Sequence, residues 1–185
     1  MPGRKRNLLT YLSPTPSWKK GWSGWQRTRG DCLDPDISSH AVASGNRAAV
    51  VTGYAGRCNF QVGLVEALAD LPWNSFQAGI LSNVLNNLLP LDARRVVAHF
   101  VRLPVPGGKL LIKLNDWVDP PSMAKREAER LDEDFYLEKE GIYLWNLKDQ
   151  LAESLWVPFF SIERAVRVHF PEFARWNRLY RLLRK

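Results

Sequence analysis

Residues Asn74 to Asp116 read NSFQAGILSNVLNNLLPLDARRVVAHFVRLPVPGGKLLIKLND, and the order of apolar and polar segments within them decides the fold class. Phe76 to Leu81 is a short apolar run that ends in Ser82-Asn83, the pattern of a parallel strand buried on both faces with its polar end at the carboxyl edge. Ala93, Val96, Val97, Phe100, Val101 and Leu103 follow at spacings of three and four, with Arg94, Arg95, His99 and Arg102 mostly on the other side. This predicts an amphipathic helix packed on the sheet. A Pro106-Gly107-Gly108 turn then leads into a second apolar run, Leu110 to Leu114, which ends in Asn115-Asp116. Parallel strands need a crossover of about a dozen residues, and Ser82 to Gly108 is long enough. Ligands in such sheets bind outside the carboxyl ends of the strands, so Ser82, Asn83, Asn115 and Asp116 are the first places to look for chemistry.

The rest of the chain is consistent with one α/β domain. Its 185 residues are 45% hydrophobic and 11% aromatic, enough to bury a core and too apolar for a disordered chain. No apolar run reaches the roughly 18 residues of a membrane span, and Leu8 to Leu12 is too short for a secretory core, so the expectation is a cytoplasmic protein without a membrane partner. Cys32 and Cys58 are the only cysteines and lie in unrelated sequence contexts, which suggests neither a disulfide framework nor a metal site.

The net charge of +7 is unevenly distributed: residues 1–30 carry seven Lys or Arg and no acid, residues 164–185 carry seven against one Glu, and the middle is acidic. Basic ends suit an anionic partner such as nucleic acid, and equally suit a solubilising surface. Residues 1–31 read as a basic arm containing Pro14, Pro16, Trp18, Trp22 and Trp25, with the globular domain expected over 32–185. Rings interleaved with cations can form a surface for single-stranded nucleic acid, or can cover the open edge of a domain.

Asp36 or Ser38 suits the start of a helix, and Asn59 to Val62 reads as a strand. Ser122 to Asp134 is highly charged and predicts a solvated helix. Asn146, with Asp149 three residues on, predicts the N-cap of another helix. Ser161 to Phe170 and Arg175 to Leu183 read as two strands, with His169 on the sheet surface.

From about Asp36 to the C-terminus the chain resembles the class I S-adenosylmethionine-dependent methyltransferases. NSFQAGILSNVLNNL is similar to that family's fourth strand and the loop after it, and VPGGKLLIKLND is similar to its proline-glycine-glycine turn and following strand. The resemblance implies a Rossmann-like, mostly parallel sheet with helices on both faces and a C-terminal antiparallel β-hairpin. It implies methyl transfer from S-adenosylmethionine to an acceptor, expected to be a small molecule. It also implies that Asp36 holds ribose, Leu64 and Val65 flank adenine, and Ser82 and Asn83 border the methyl-transfer site. Such transfer depends on positioning and desolvation, so no catalytic residue is named.

The chain departs from the family's pattern at three points. Leu12 to Trp18 holds two prolines and no glycine where the family has a glycine-rich cofactor loop. Leu64 and Gln77 stand where acids are common. The segment has diverged, or is truncated, or its reading frame is damaged. A noncatalytic remnant of the fold and a basic nucleic-acid-binding module are the rival readings. A nicotinamide dehydrogenase is disfavoured, because no GxGxxG opens a helix after a strand.

Overall fold

The computed structural model describes residues 7–12 (backbone only), 31–36, 38–63, 65–171 and 175–185. Seven strands form the main sheet: β1 (Asn7–Leu12), β2 (Asp31–Asp36), β3 (Cys58–Val62), β4 (Phe76–Ser82), β5 (Pro104–Asn115), β9 (Phe160–Phe170) and β10 (Arg175–Arg184). Their order is β3-β2-β1-β4-β5-β10-β9. All neighbours are parallel except that β10 runs antiparallel to both β5 and β9. The sheet therefore begins upstream of Asp31: Asn7–Leu12, expected in an arm, pairs with β2 on one side and β4 on the other.

The helix expected after β4 is α2 (Pro90–Arg102). Pro90 opens it with a preset φ and no N–H to waste, Asp92 lies in the first turn, and His99 and Arg102 lie in the last, each matching the helix dipole. Its Ala93, Val96, Val97 and Phe100 are buried on the sheet. The close approach depends on Gly79 in β4, because a Cβ there would stand 2.8 Å from Phe100 Cε1. Leu81, Leu110, Ile112 and Leu114, all fully buried, complete this part of the core. Between β2 and β3 lies α1 (Ser39–Val51), whose N-cap is Ser38, its hydroxyl accepting from Ala41 N at 3.2 Å.

Three local expectations are corrected. Pro106-Gly107-Gly108 is not a turn ahead of a strand but lies within β5, where Gly107 has a φ of 71° and the pairing with β4 shifts register between Phe76 and Ala78. Ser122 to Asp134 is not one helix. The chain forms a short α3 (Pro120–Ala124), then β6 (Glu129–Asp132), which pairs antiparallel with β7 (Phe135–Leu137), itself paired with β8 (Tyr143–Trp145). Every residue of β6 is exposed, so its charges report solvation and not helicity, while Met123, Tyr136 and Leu144 form a small core beneath the sheet. Asn146 does not cap a helix either. Lys148 precedes α4 (Asp149–Ser154), and the Asn146 side chain instead accepts from Val118 N at 2.9 Å and donates to Val118 O at 2.7 Å. A double backbone bond between segments outweighs one capping bond.

No described helix is long and apolar enough to cross a membrane. The terminal hairpin forms as expected, with β9 almost wholly exposed beyond Phe160 and His169 lying 4.8 Å from the ring of Trp176 on its surface.

Candidate functional site

The register pairs Leu12 with Ser82, Asp36 with Val62 and Ser82 with Lys113, which aligns the carboxyl ends of β1 to β5 along one edge. The strand order reverses direction at β1, between β2 and β4. A crevice at such a reversal is where open α/β sheets bind ligands.

Asp36 ends β2 at this edge and is 8% exposed. Its Oδ1 accepts from Ser38 N at 2.7 Å, the only bond its carboxylate makes among the described residues. Burial raises its pKa, and the Ser38 amide offsets part of that rise. A carboxylate offers two acceptor oxygens, of which Oδ1 is engaged by Ser38 N. Gly63 follows β3 and donates from its N to Asp36 O at 3.1 Å, so the ends of β2 and β3 are tied together. A Cβ on Gly63 would lie 2.7 Å from Ala67 Cβ.

The residues after Gly63 divide. Leu64 lies outside the described residues. Val65 is 6% exposed and belongs to the main core, so its side chain is committed inward, away from the edge.

At the end of β4 the chain turns sharply. Asn83 has a φ of 56° and donates from its N to Lys113 O at 2.9 Å. Asparagine tolerates this left-handed backbone better than most residues. Its Oδ1 is buried with no hydrogen-bond partner among the described residues, as is Trp117 Nε1. An unsatisfied buried acceptor costs about 1–3 kcal/mol, a cost that a donor brought by a ligand would remove. Ser82 lies half-buried beside it.

Asn86, also in the polar loop, does not cap its own turn. It is 1% exposed, its Oδ1 accepts from Asn115 N at 2.9 Å, and its Nδ2 donates to Trp145 O at 2.8 Å. One amide thus holds the β4 loop to the end of β5 and to β8. Asn86→Ala is expected to destabilise the fold by about 2–3 kcal/mol, since it strands one buried donor and one buried acceptor. Urea unfolding checks this, and a loss within 0.5 kcal/mol would show that the loop stands without the amide.

Asp116 is likewise bonded into the fold, and the Asn115 backbone is held by Asn86 and Arg178. Asp116 Oδ1 is 2.9 Å from Arg167 Nη2 and 3.7 Å from Arg178 Nε, and it also accepts from Trp117 N. Arg178, which sequence reasoning passed over, is 3% exposed and donates to Asn115 O, Leu147 O and Asp149. Its signal was parity: it shares a face of β10 with buried Tyr180 and Leu182, a place where an unpartnered cation would be costly. Lys113 is half-buried, its pKa lowered by burial, with its ammonium 4.9 Å from the centre of the Phe170 ring. No group of three or more His, Cys, Asp or Glu is placed to hold a metal among the described residues.

No protein-family model and no curated protein matches the sequence. Solved structures do match the fold. A SAM-dependent methyltransferase from Methanosarcina mazei aligns at 16% identity over 98% of this chain and 93% of that one, with a TM-score of 0.77. The Burkholderia thailandensis 1,6-didemethyltoxoflavin-N1-methyltransferase, solved with S-adenosylhomocysteine bound, aligns at 11% identity over 98% of this chain and 72% of its own, with a TM-score of 0.72. The 4+2 cyclase SpnF aligns at 16% identity over 97% of this chain and 75% of its own, with a TM-score of 0.74. Strand order, the reversed β10 and these superpositions agree: the chain has the fold of the class I S-adenosylmethionine-dependent methyltransferases.

Proposed function

We propose that the chain binds S-adenosylmethionine at the carboxyl edge of β1, β2 and β4 and transfers its methyl group to a small-molecule acceptor. Because the same architecture is shared with a cyclase, the proposal rests on the residues at the edge and not on the likeness alone. The observation that carries it is Asp36, a buried carboxylate with a single described bond at the end of the strand next to the reversal.

The residues present fit the cofactor at two points. The Asp36 carboxylate would accept from the vicinal hydroxyls of ribose, a pairing that needs two acceptor oxygens. The orphaned Asn83 Oδ1, with Ser82, would meet the part of the ligand nearest the acceptor. Around adenine, Leu64 would lie on the ring, while buried Val65 would contribute through its backbone. Bound there, the cofactor supplies a methyl group on a positively charged sulfur. The protein's part is to align acceptor and sulfur and to exclude water, for which no proton-transferring side chain is required. Right-handed crossovers, leading away from β1 in opposite directions, would place α1 and α2 on opposite faces of the sheet and leave this edge open.

A soluble preparation titrated calorimetrically with S-adenosylhomocysteine is expected to give micromolar binding, about −8 kcal/mol. Asp36→Asn keeps the acceptor for Ser38 but removes the charge, and is expected to weaken binding by roughly 10–100-fold. The same variant should unfold at an equal or higher temperature, since burial opposes the native charge. The absence of heat up to millimolar ligand, from folded protein, would leave a fold without its chemistry.

A further inference from the structure

The two cysteines that appear unrelated in the sequence meet in the sheet. Cys32 is the second residue of β2, Cys58 is the first of β3, and they are register partners in a parallel ladder. Such partners stand about 4.7–4.9 Å apart with side chains on the same face. That separation lies inside the Cα window of about 4.4–6.8 Å that a disulfide spans. The two thiols are in hydrogen-bond contact, and both residues are half-buried, within reach of a small reagent. Cys32 N donates to Arg57 O at 2.7 Å, which holds the start of β3 against β2. Among the described residues β3 is the outermost strand, with no neighbouring strand on its far side to resist the small inward shift that brings the Cβ atoms to about 3.8 Å.

We propose that Cys32 and Cys58 are a dithiol site that closes reversibly to an intrachain disulfide, with a low-molecular-weight disulfide as the oxidant. One thiol gives up its proton, and its sulfur attacks the reagent, breaking the reagent's S–S bond and releasing one thiolate. The second protein thiol then gives up its proton and attacks the protein sulfur of the mixed disulfide, releasing the other thiolate. The protein loses two electrons and two protons, and the reagent is reduced to two thiols. The closed bond staples the edge strand and encloses α1 and Asp36 in the loop from Cys32 to Cys58. It does not depend on cofactor binding.

The test is simple because these are the chain's only cysteines. The full chain, reduced and then equilibrated in glutathione buffers of increasing oxidised fraction, is quenched with N-ethylmaleimide and measured by intact mass. The expected result is that both thiols disappear together, with no glutathione retained, independently of protein concentration. The closed form should melt roughly 5–10 °C higher than the reduced form, and a tryptic map should join Cys32 to Cys58. Cys32→Ser and Cys58→Ser should each end as a stable mixed disulfide with no such rise. Wild-type protein that accumulates glutathione on one or both cysteines, or that forms disulfide-linked dimers, would overturn the proposal. That result would not depend on whether either serine variant folds.

Discussion

Arg178→Met is expected to lower the unfolding free energy by about 2–4 kcal/mol, because it removes a buried guanidinium that satisfies two carbonyls, while its ion-pair partner Asp149 stays largely in solvent. The guanidinium is 3% exposed and satisfies Asn115 O, Leu147 O and Asp149 while standing near Asp116. Methionine fills part of the volume but leaves two buried carbonyls without donors. The pH dependence identifies the cause. The hydrogen bond from Arg178 holds the Asp149 carboxyl below its ordinary pKa. A depressed carboxylate stabilises the fold above its unfolded pKa, near 4, and that stability is lost as pH falls through the lower native value. The variant should lose this acid-side slope.

At high pH the neighbouring group acts in the opposite sense. Tyr180, whose hydroxyl lies 3.0 Å from Asp149 Oδ1, is pushed up to about 12, mainly by burial. Its contribution is full below pH 10 and is lost as pH rises from there through about 12. Urea titrations from pH 3 to 11 would measure both limbs. A loss under 1 kcal/mol at pH 7 would show that the β5–β10 junction does not rely on the buried cation.

The second large effect lies where α2 meets the sheet. Phe100→Ala is expected to cost about 3–5 kcal/mol, because the ring is fully buried and its removal leaves a cavity between helix and strand. Gly79→Ala should cost about 1–3 kcal/mol for the opposite reason, overpacking, since the new methyl would meet that ring at 2.8 Å. The two changes share one space, so their costs should not add. With Phe100 reduced to alanine, the methyl at position 79 enters the cavity, and the penalty of Gly79→Ala should fall by about 1 kcal/mol or more. A double-mutant cycle by chemical denaturation reads this coupling directly, and strict additivity would mean that α2 and β4 are not in the contact described.

Much of the candidate site was legible from local pattern. Apolar runs ending in polar residues marked the carboxyl ends of β4 and β5, and the resemblance singled out Asp36, Ser82 and Asn83, all of which lie at one edge. Which polar residues are free was not legible. Asn83 and Asn86 look alike in the sequence, yet one has a buried oxygen with no described partner and the other is bonded at both ends. The difference depends on Asn115 and Trp145, 29 and 59 residues away. Val65 likewise reads as a residue beside adenine, but the core claims its side chain.

By itself the sequence determined β3, β4 and the Leu110 to Leu114 part of β5, the α2 crossover and the terminal hairpin, because strand and helix periodicities act over a few positions. Tertiary structure alone decided three things. Asn7–Leu12, too short a run among prolines and tryptophans to announce itself, gains its place as a central strand from two neighbours distant in the chain. The charged stretch after Met123 becomes a strand of a small sheet, because exposure permits charge in either conformation and pairing with β7 chooses between them. Cys32 faces Cys58, and Arg178 faces Asp149, only once the sheet has brought distant strands and loops into register. Each of these contacts is a pairing between remote segments, and local propensity carries no information about a partner that folding alone supplies.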